Sequence, residues 1–452
     1  MGRITLKQAA QWCGGRIDPK YEDVTFLGAN NDSRNIQPGQ LFLALQGVRD
    51  GHDFIPMALE MGAAAVLCNH CDGDYPAIVV EDVRIALGDI AREERKRIGM
   101  KVVGVTGSVG KSTTKEMIAC VLSSKYRVEK TPVNHNNDIG MPMAVLSMAE
   151  DTEVAVLEMG MNHFREIAYL ASIALPDVAV IINIGTMHIE HLGSQQGILK
   201  AKLEILEGMK GDGRVILNGD DQLLWNVRQT GVNATYFGVR NPDCHVQGSN
   251  VAETDGNLTF DVRANKEKFP IRLHLEGQHF VSDALAAISV GLAMGVSAER
   301  IHETLSSFQN MAGRQEIFEA KGYTIIKDCY NAGPESMAAA LTVLGNRTGR
   351  KIAVLGDMLE LGVCTQAEHY RIGRIAAEKT DVVLAYGPNS SRVISGALTG
   401  GMDAAKAQAF DNRDDLVFTL KRLAKEGDVM LFKGSHGMHM ELALEKFLKD
   451  EA

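Results

Sequence analysis

Apolar positions along this chain fall into short runs, and their spacing divides it into three regions. Over residues 1–98 the runs Leu41–Leu45, Ala64–Cys68 and Ala77–Val80 are broken by Gly, Pro and Asp, which predicts a small α/β domain. From Lys101, apolar runs of strand length alternate with stretches of helical periodicity. Val102–Val105, Val154–Leu157 and Val178–Ile182 predict buried strands of a mostly parallel sheet. Beyond about Ala312 the alternation restarts, with Ile352–Leu355, Val382–Ala385 and Val429–Phe432 as further strands. The expected architecture is α/β in three domains. A small N-terminal α/β domain spans 1–98, a central domain with a parallel sheet spans 99–312, and a Rossmann-like domain spans 313–452.

The strand Val102–Val105 runs into Thr106-Gly107-Ser108-Val109-Gly110-Lys111-Ser112-Thr113 and then a helix from Ser112 to about Ser124, with Met117, Ile118, Val121 and Leu122 at helical spacing. Strand, glycine-bearing loop and helix are the context a phosphate loop needs. Backbone N–H groups from Gly107 to Thr113 and the helix N-terminus face phosphates, Lys111 reaches the β/γ-phosphates, and the Ser112 hydroxyl ligates Mg²⁺. The general motif has Gly where this chain has Val105. Ligands of open α/β sheets gather at the carboxyl ends of strands. Glu158 follows the strand Val154–Leu157, and His188 follows Val178–Ile182 by a short loop. A carboxylate and an imidazole there suit a divalent cation bridging phosphate oxygens.

Lys202 is singled out by periodicity. Ser194–Met209 reads as a helix with Ser194 as N-cap and Ile198, Leu199, Ile205 and Leu206 as its apolar face. Lys202 sits in the middle of that face, while Lys200, Glu204 and Glu207 mark the polar side. A lysine so placed either snorkels to solvent or is paired, deprotonated or modified at its amine. Carbamylation by CO₂ replaces a cation with an anion able to hold a metal.

Composition narrows the partners. The net charge is −10 with no long basic run, which disfavours nucleic acid. No apolar stretch approaches the roughly 18 residues of a membrane span, and the N-terminus lacks the apolar core of a signal peptide, so a cytoplasmic protein is expected. The seven cysteines are scattered, as reduced thiols are. Cys68-Asn69-His70-Cys71 lacks the second ligand pair that a zinc site needs and reads as an ordinary loop.

Taken together these segments resemble the Mur ligase family over essentially the whole chain. The resemblance is carried by TGSVGKSTTK at 106–115, the Asn-rich run Asn134–Pro142, Leu157–His163 around Glu158, HIEHLGS at 188–194, and Lys202 at the family's carbamylated lysine. In the outer domains it is carried by Asp32-Ser33-Arg34, Asp50–Phe54, Gly313-Arg314, Asp328–Ala332 and Leu355–Gly362. The resemblance implies a cytoplasmic ligase of peptidoglycan synthesis, probing no nucleic acid and acting as a monomer. It would use ATP and Mg²⁺, two ions being expected, to join D-alanyl-D-alanine to a UDP-N-acetylmuramoyl-tripeptide through an acyl phosphate. It further implies a UDP-binding N-terminal domain contacted through Ser33 and Arg34, and a central domain of phosphate-loop ATPase type. Lys111, Glu158, His188 and carbamylated Lys202 are the implied catalytic set, with Ser112, Glu158, His188 and Lys202 toward metal. Arg314 and Asp328 are implied to reach the nucleotide, and Asn134, Asn137, Tyr330 and Asn331 the substrates. His369 and Lys433–His436 are further candidates for substrate binding. Phe280 and Asp283 stand where the family often has Asn near the adenine, and Gly333 replaces a frequent Asn. The rival readings are a Mur-type ligase for another amino acid, such as diaminopimelate or lysine, and a phosphate-loop nucleotide switch. The guanine-reading Asn-Lys-x-Asp motif of such switches is absent.

Overall fold

A computed structural model describes residues 4–254, 256–265, 267–311 and 313–449. Ala312, the expected limit of the central domain, lies outside the described residues, as do the two chain ends. Three sheets correspond to the three regions of pattern. The N-terminal region carries four parallel strands in chain order, Ala29–Asn30, Leu41–Leu43, Ala65–Cys68 and Ala77–Val79. Phe42, Val66 and Cys68 face one small core, while Leu41, Leu43 and Leu67 join the large core shared with the central domain. That alternation is the period of two expected of strands covered on both faces.

Among the described residues the central sheet has nine strands. Its strand Lys101–Thr106, third from one edge, lies parallel between Val154–Glu158 and Val178–Ile181. The chain leaves Lys101–Thr106 for the edge strand Val128–Lys130, returns to its neighbour Val154–Glu158, then crosses to its other side at Val178–Ile181. The sheet therefore reverses winding direction beside Lys101–Thr106, and a crevice opens there at the strand ends. Val105 is fully buried within this strand, so the missing motif glycine is a core residue rather than a loop residue.

The sheet is mostly parallel, as expected; Val246–Thr254, Asn257–Ala264 and Glu267–Leu273 form an antiparallel meander at one edge. Two expectations are corrected on the helix that carries Lys202. The helix predicted over Ser194–Met209 is α-helical only from Gln195 to Leu203 and continues as a 3₁₀ segment over Glu204–Gly208. Ser194 does cap it, its hydroxyl accepting from Gly197 N–H. Glu204, expected on the polar side, is buried. Its carboxylate accepts the Arg165 and Ala168 N–H groups at the start of helix Glu166–Ala174. A carboxylate offsets the unpaired donors and positive dipole end of a helix N-terminus, which is why burial is tolerated.

Among the described residues the C-terminal sheet has six strands. Five are parallel, Tyr323–Asp328, Val429–Lys433, Lys351–Gly356, Val382–Tyr386 and Ala407–Phe410 in spatial order, with Glu316–Ala320 antiparallel at one edge.

Candidate active site

Helix Lys111–Ser123 starts at Gly110, whose φ of +84° favours glycine. A Cβ at Gly110 would also stand 2.7 Å from Asp283 Oδ1, so glycine is required for space as well. Asn183, just beyond Val178–Ile181, shapes the loop. Its Oδ1 accepts from Ser108 and Val109 N–H, both at 3.0 Å, and its Nδ2 donates to Val109 O at 2.9 Å. Lys111 folds over the same loop, donating to Gly107 O and Ser108 O. Burial, and after it the Arg314 charge, pushes the Lys111 amine below the usual lysine range, while Glu158 partly restores it.

Glu158 is the last residue of its strand and 3% exposed. Its Oε2 accepts from Ser112 Oγ at 2.7 Å and its Oε1 from Asn136 Nδ2 at 2.9 Å. Burial alone would raise its pKa. The Lys111 charge, the Ser112 and Asn136 hydrogen bonds and the Lys115 charge outweigh that and hold the carboxyl below its ordinary value. Glu158 and Ser112 together present oxygen donors of the hard type that suits Mg²⁺.

The C-terminal domain closes over this site. Arg314 Nη2 donates to Ser112 Oγ at 2.7 Å, and its guanidinium stacks 3.8 Å over the Tyr330 ring. The Tyr330 hydroxyl donates to Asn134 Oδ1. Glu335 Oε1 accepts from Thr186 N–H and Oγ1, both at 3.1 Å. His188 Nδ1 lies 2.7 Å from Glu360 Oε2 of the facing domain. The cleft between the two domains holds about 500 Å³ and is lined by Lys111, Ser112, Glu158, His188, Arg314 and Asp328 among others.

The remaining expected residues divide. Asn137, Tyr330 and Asn331 line the cleft; Ser33, Arg34 and Asn134 do not. Asn137 Oδ1 instead accepts the Gly140 N–H at the start of helix Gly140–Leu146. Ser33 is buried beside Met57, and Arg34 forms a two-pronged pair with Asp32 on the surface. Lys202 is 1% exposed and does not line the cleft. Its amine has no hydrogen-bond or ion-pair partner among the described residues, and burial, with the Lys111 charge added, drives its pKa well below the usual lysine range. Asp283 is buried and accepts from Thr114 Oγ1 at 2.9 Å; burial pushes its carboxyl up to about 7 against the Thr114 hydrogen bond and the Arg314 charge. Phe280 is 3% exposed and packs in the core of the central sheet.

His369 is corrected. It is fully buried within the C-terminal domain, its Nε2 accepting from Met358 N–H and its Nδ1 2.7 Å from Thr365 O. That network gives it a structural place inside the C-terminal domain, and it does not line the cleft. Lys433 is buried too, and donates to Asp328 Oδ2 at 2.6 Å and Asn331 O at 3.0 Å. It therefore holds the Asp328–Asn331 turn. Asn136 and Asn183 were not singled out by pattern. Asn183 ends an apolar strand beside the phosphate loop, the same signal that marked Glu158.

Comparisons with known proteins agree with this layout. Residues 105–291 match the Mur ligase middle domain, 313–436 the Mur ligase, glutamate ligase domain, and 23–102 the Mur ligase family, catalytic domain. The chain is 39% identical to the UDP-N-acetylmuramoyl-tripeptide–D-alanyl-D-alanine ligase of Bacillus subtilis, over 98% of this chain and 97% of that protein. It is 34% identical to the protein of the same name from Escherichia coli, over 97% of each. A crystal structure of MurF from Acinetobacter baumannii superposes with a TM-score of 0.91 at 31% identity, covering 100% of both chains. One of MurF ligase from Thermotoga maritima in complex with ADP superposes with a TM-score of 0.83 at 30% identity, covering 93% of this chain and 97% of that one. The chain belongs to the Mur ligase family.

Proposed function

We propose that this protein joins D-alanyl-D-alanine to UDP-N-acetylmuramoyl-tripeptide at the expense of ATP, in the cytoplasmic stage of peptidoglycan synthesis. The reading rests on one observation above others. The phosphate loop, the Ser112–Glu158 oxygen pair and Arg314 from the facing domain meet in a single cleft. The high-coverage relatives carry this activity in their names.

A carboxylate does not react with an amine directly, so it must be activated. The tripeptide's terminal carboxylate oxygen attacks the γ-phosphorus, the bond to the β-phosphate oxygen breaks, and ADP leaves. The free amine of D-alanyl-D-alanine then attacks the acyl carbon, inorganic phosphate departs, and the amine loses a proton. Phosphoryl transfer of this kind depends mainly on positioning and charge neutralisation. Lys111 and the N–H groups of Gly107–Thr113 hold the phosphates. Arg314 and Asp328 bring the C-terminal domain onto the nucleotide, and closure keeps water from the acyl phosphate. Tyr330 and Asn331 act on the substrate side of the cleft, with Asn134 and Asn137 on the facing loop. Ser33 and Arg34 bind the UDP moiety, which requires Arg34 to exchange its pairing with Asp32 for the ligand.

Ser112 and Glu158 would hold one Mg²⁺, and His188 with carbamylated Lys202 a second; bound there, the ions neutralise charge on the phosphate oxygens. The Lys202 amine fits modification because it is buried, has no partner among the described residues and is shifted by burial, and then by the Lys111 charge, toward its neutral form. Its nitrogen adds to CO₂ with loss of a proton, and the resulting anion is attracted by the Lys111 charge that repels the cation. The domain limits at 98/99 and 312/313 follow from the same reading.

The test is phosphate release with UDP-N-acetylmuramoyl-tripeptide, ATP and Mg²⁺, offered D-alanyl-D-alanine, meso-diaminopimelate or L-lysine in turn. Turnover only with the dipeptide is expected; turnover only with a single amino acid would overturn the assignment.

A further inference from the structure

Lys115 is a fully buried lysine to which the reaction above gives no part. It stands three residues after Ser112 on the phosphate-loop helix, so both side chains leave the same face toward Glu158. Its Nζ donates to Thr131 O at 2.7 Å and lies 3.9 Å from Glu158 Oε2 and 3.3 Å from Glu116 Oε1. Thr131 is itself fully buried, and its Oγ1 accepts the Glu158 N–H at 3.0 Å. One threonine thus fixes both the lysine and the backbone of the glutamate. Glu116 is shared with Lys130 on the neighbouring edge strand.

Burying a cation is costly unless its partners are well placed, and removing one partner of a buried pair leaves the other uncompensated. Lys115 is held by a carbonyl and two carboxylates, and one of those carboxylates is the group read above as holding a cation. Glu158 Oε2 is shared between Ser112 Oγ and the Lys115 charge. A fixed unit charge at that distance competes with any divalent ion for the same oxygen.

We propose that Lys115 is a positioning residue for Glu158, a built-in counter-ion that holds the carboxylate ready and weakens its grip on the divalent cation, so that the ion can leave with the products. The proposal rests on the reading of Glu158 as a metal-holding residue. Glu116 divides the Lys115 charge, and this gives two substitutions of opposite effect. Lys115→Met keeps the packing and removes the competing charge. Glu116→Gln frees Lys115 to lean on Glu158 alone.

The experiment is titration of Mn²⁺ into the full-length protein with ADP, followed by electron paramagnetic resonance, beside steady-state kinetics in Mg²⁺. Lys115→Met should bind Mn²⁺ on the order of tenfold more tightly, the effect of losing one repulsive charge at this range in a solvated cleft. It should also lower kcat while leaving the KM for the tripeptide within about twofold. Glu116→Gln should bind Mn²⁺ more weakly by a few-fold. General loss of structure would weaken binding in both, so opposite signs are the signature. Unchanged or weaker Mn²⁺ binding in Lys115→Met overturns the proposal. If that variant does not fold, Glu116→Gln decides alone, and unchanged or tighter binding there overturns it. Glu158→Ala separates the two layers: if it binds Mn²⁺ like the wild type, the metal-holding reading of Glu158 itself has failed.

Discussion

Replacing Lys202 by methionine should make this protein more stable and nearly inactive. The side chain is 1% exposed, and its amine meets no partner among the described residues. A polar group buried unpaired costs about 1–3 kcal/mol, and methionine of similar length removes that cost without opening a cavity. For a unit of roughly 200 residues, about 2–4 °C accompanies each kcal/mol, so the transition of the central domain should rise by about 2–12 °C. The sign with pH follows from linkage. Folding depresses the Lys202 pKa, so below the ordinary lysine range the unfolded chain binds a proton that the folded chain does not, and wild-type stability rises with pH. The gain from Lys202→Met is therefore larger at low pH and shrinks as the pH rises toward that range. Differential scanning calorimetry in bicarbonate-free buffer, without nucleotide, measures it. Phosphate release should fall by two orders of magnitude or more, on the order of what is lost with one preorganised electrostatic group. Lys202→Ala, which leaves room, should regain part of its activity from a small added carboxylic acid, whereas the methionine variant should not. A variant that melts lower than wild type at pH 7, or one that retains full turnover, would refute the reasoning.

Two further outcomes follow from groups around the phosphate loop. Arg314→Ala removes both the Ser112 hydrogen bond and the stacking on Tyr330, and should lower kcat about 10–100-fold with a raised KM for ATP. Arg314→Lys should recover little of this, because an ammonium cannot stack and bridge in one plane; coupled kinetics at varied ATP check both. Asp283 titrates at about 7 in the folded protein, above its ordinary value, so wild-type stability is fully present in acid and is lost as the pH rises through 7. Asp283→Asn keeps an acceptor for Thr114 and should abolish about 2–4 kcal/mol of that decline between pH 5 and 8, measured by urea unfolding. Parallel stability curves for the two proteins would count against a buried, titrating carboxyl.

The inner parallel strands, such as Val154–Glu158 and Val429–Lys433, were legible because they are buried on both faces and read as unbroken apolar runs, and Glu158 was legible because it ends one of them; edge strands such as Val128–Lys130 carry no such run. The meander over 246–273 was not, since its outward positions are polar, charged and irregular: Val246–Thr254 alternates only in part, and its register shifts between Ser249 and Ala252. His369 misled because a histidine near a glycine-rich segment has the same sequence signature whether it faces substrate or a Met358 amide. Glu204 misled for a related reason. Helical spacing put it opposite Ile198, but the turn tightens to 3₁₀ at that residue and swings the carboxylate to the N-terminus of helix Glu166–Ala174. Contacts between domains, such as Glu335 to Thr186, join residues about 150 positions apart and leave no trace in local pattern.

Lys115 and Lys202 mark the limit of that kind of reading most clearly. Lys115 shares a helical stripe with Ile118 and Leu122, as Lys202 does with Ile198 and Ile205, so one periodicity argument selects both. Both are buried in the folded chain. What separates them is what the fold brings to the amine from elsewhere. Lys115 receives Glu116 from its own helix, Glu158 from a neighbouring strand and Thr131 O from just beyond another, so a carbonyl and two carboxylates surround its amine. Lys202 receives only the repulsion of Lys111, which favours the neutral amine that adds CO₂. A lysine on an apolar stripe therefore announces burial, but the long-range partners decide whether it serves as a fixed charge or as a nucleophile. That gives a direct comparison: methionine at 202 should stabilise the chain, whereas methionine at 115, by leaving two carboxylates short of a cation, should destabilise it.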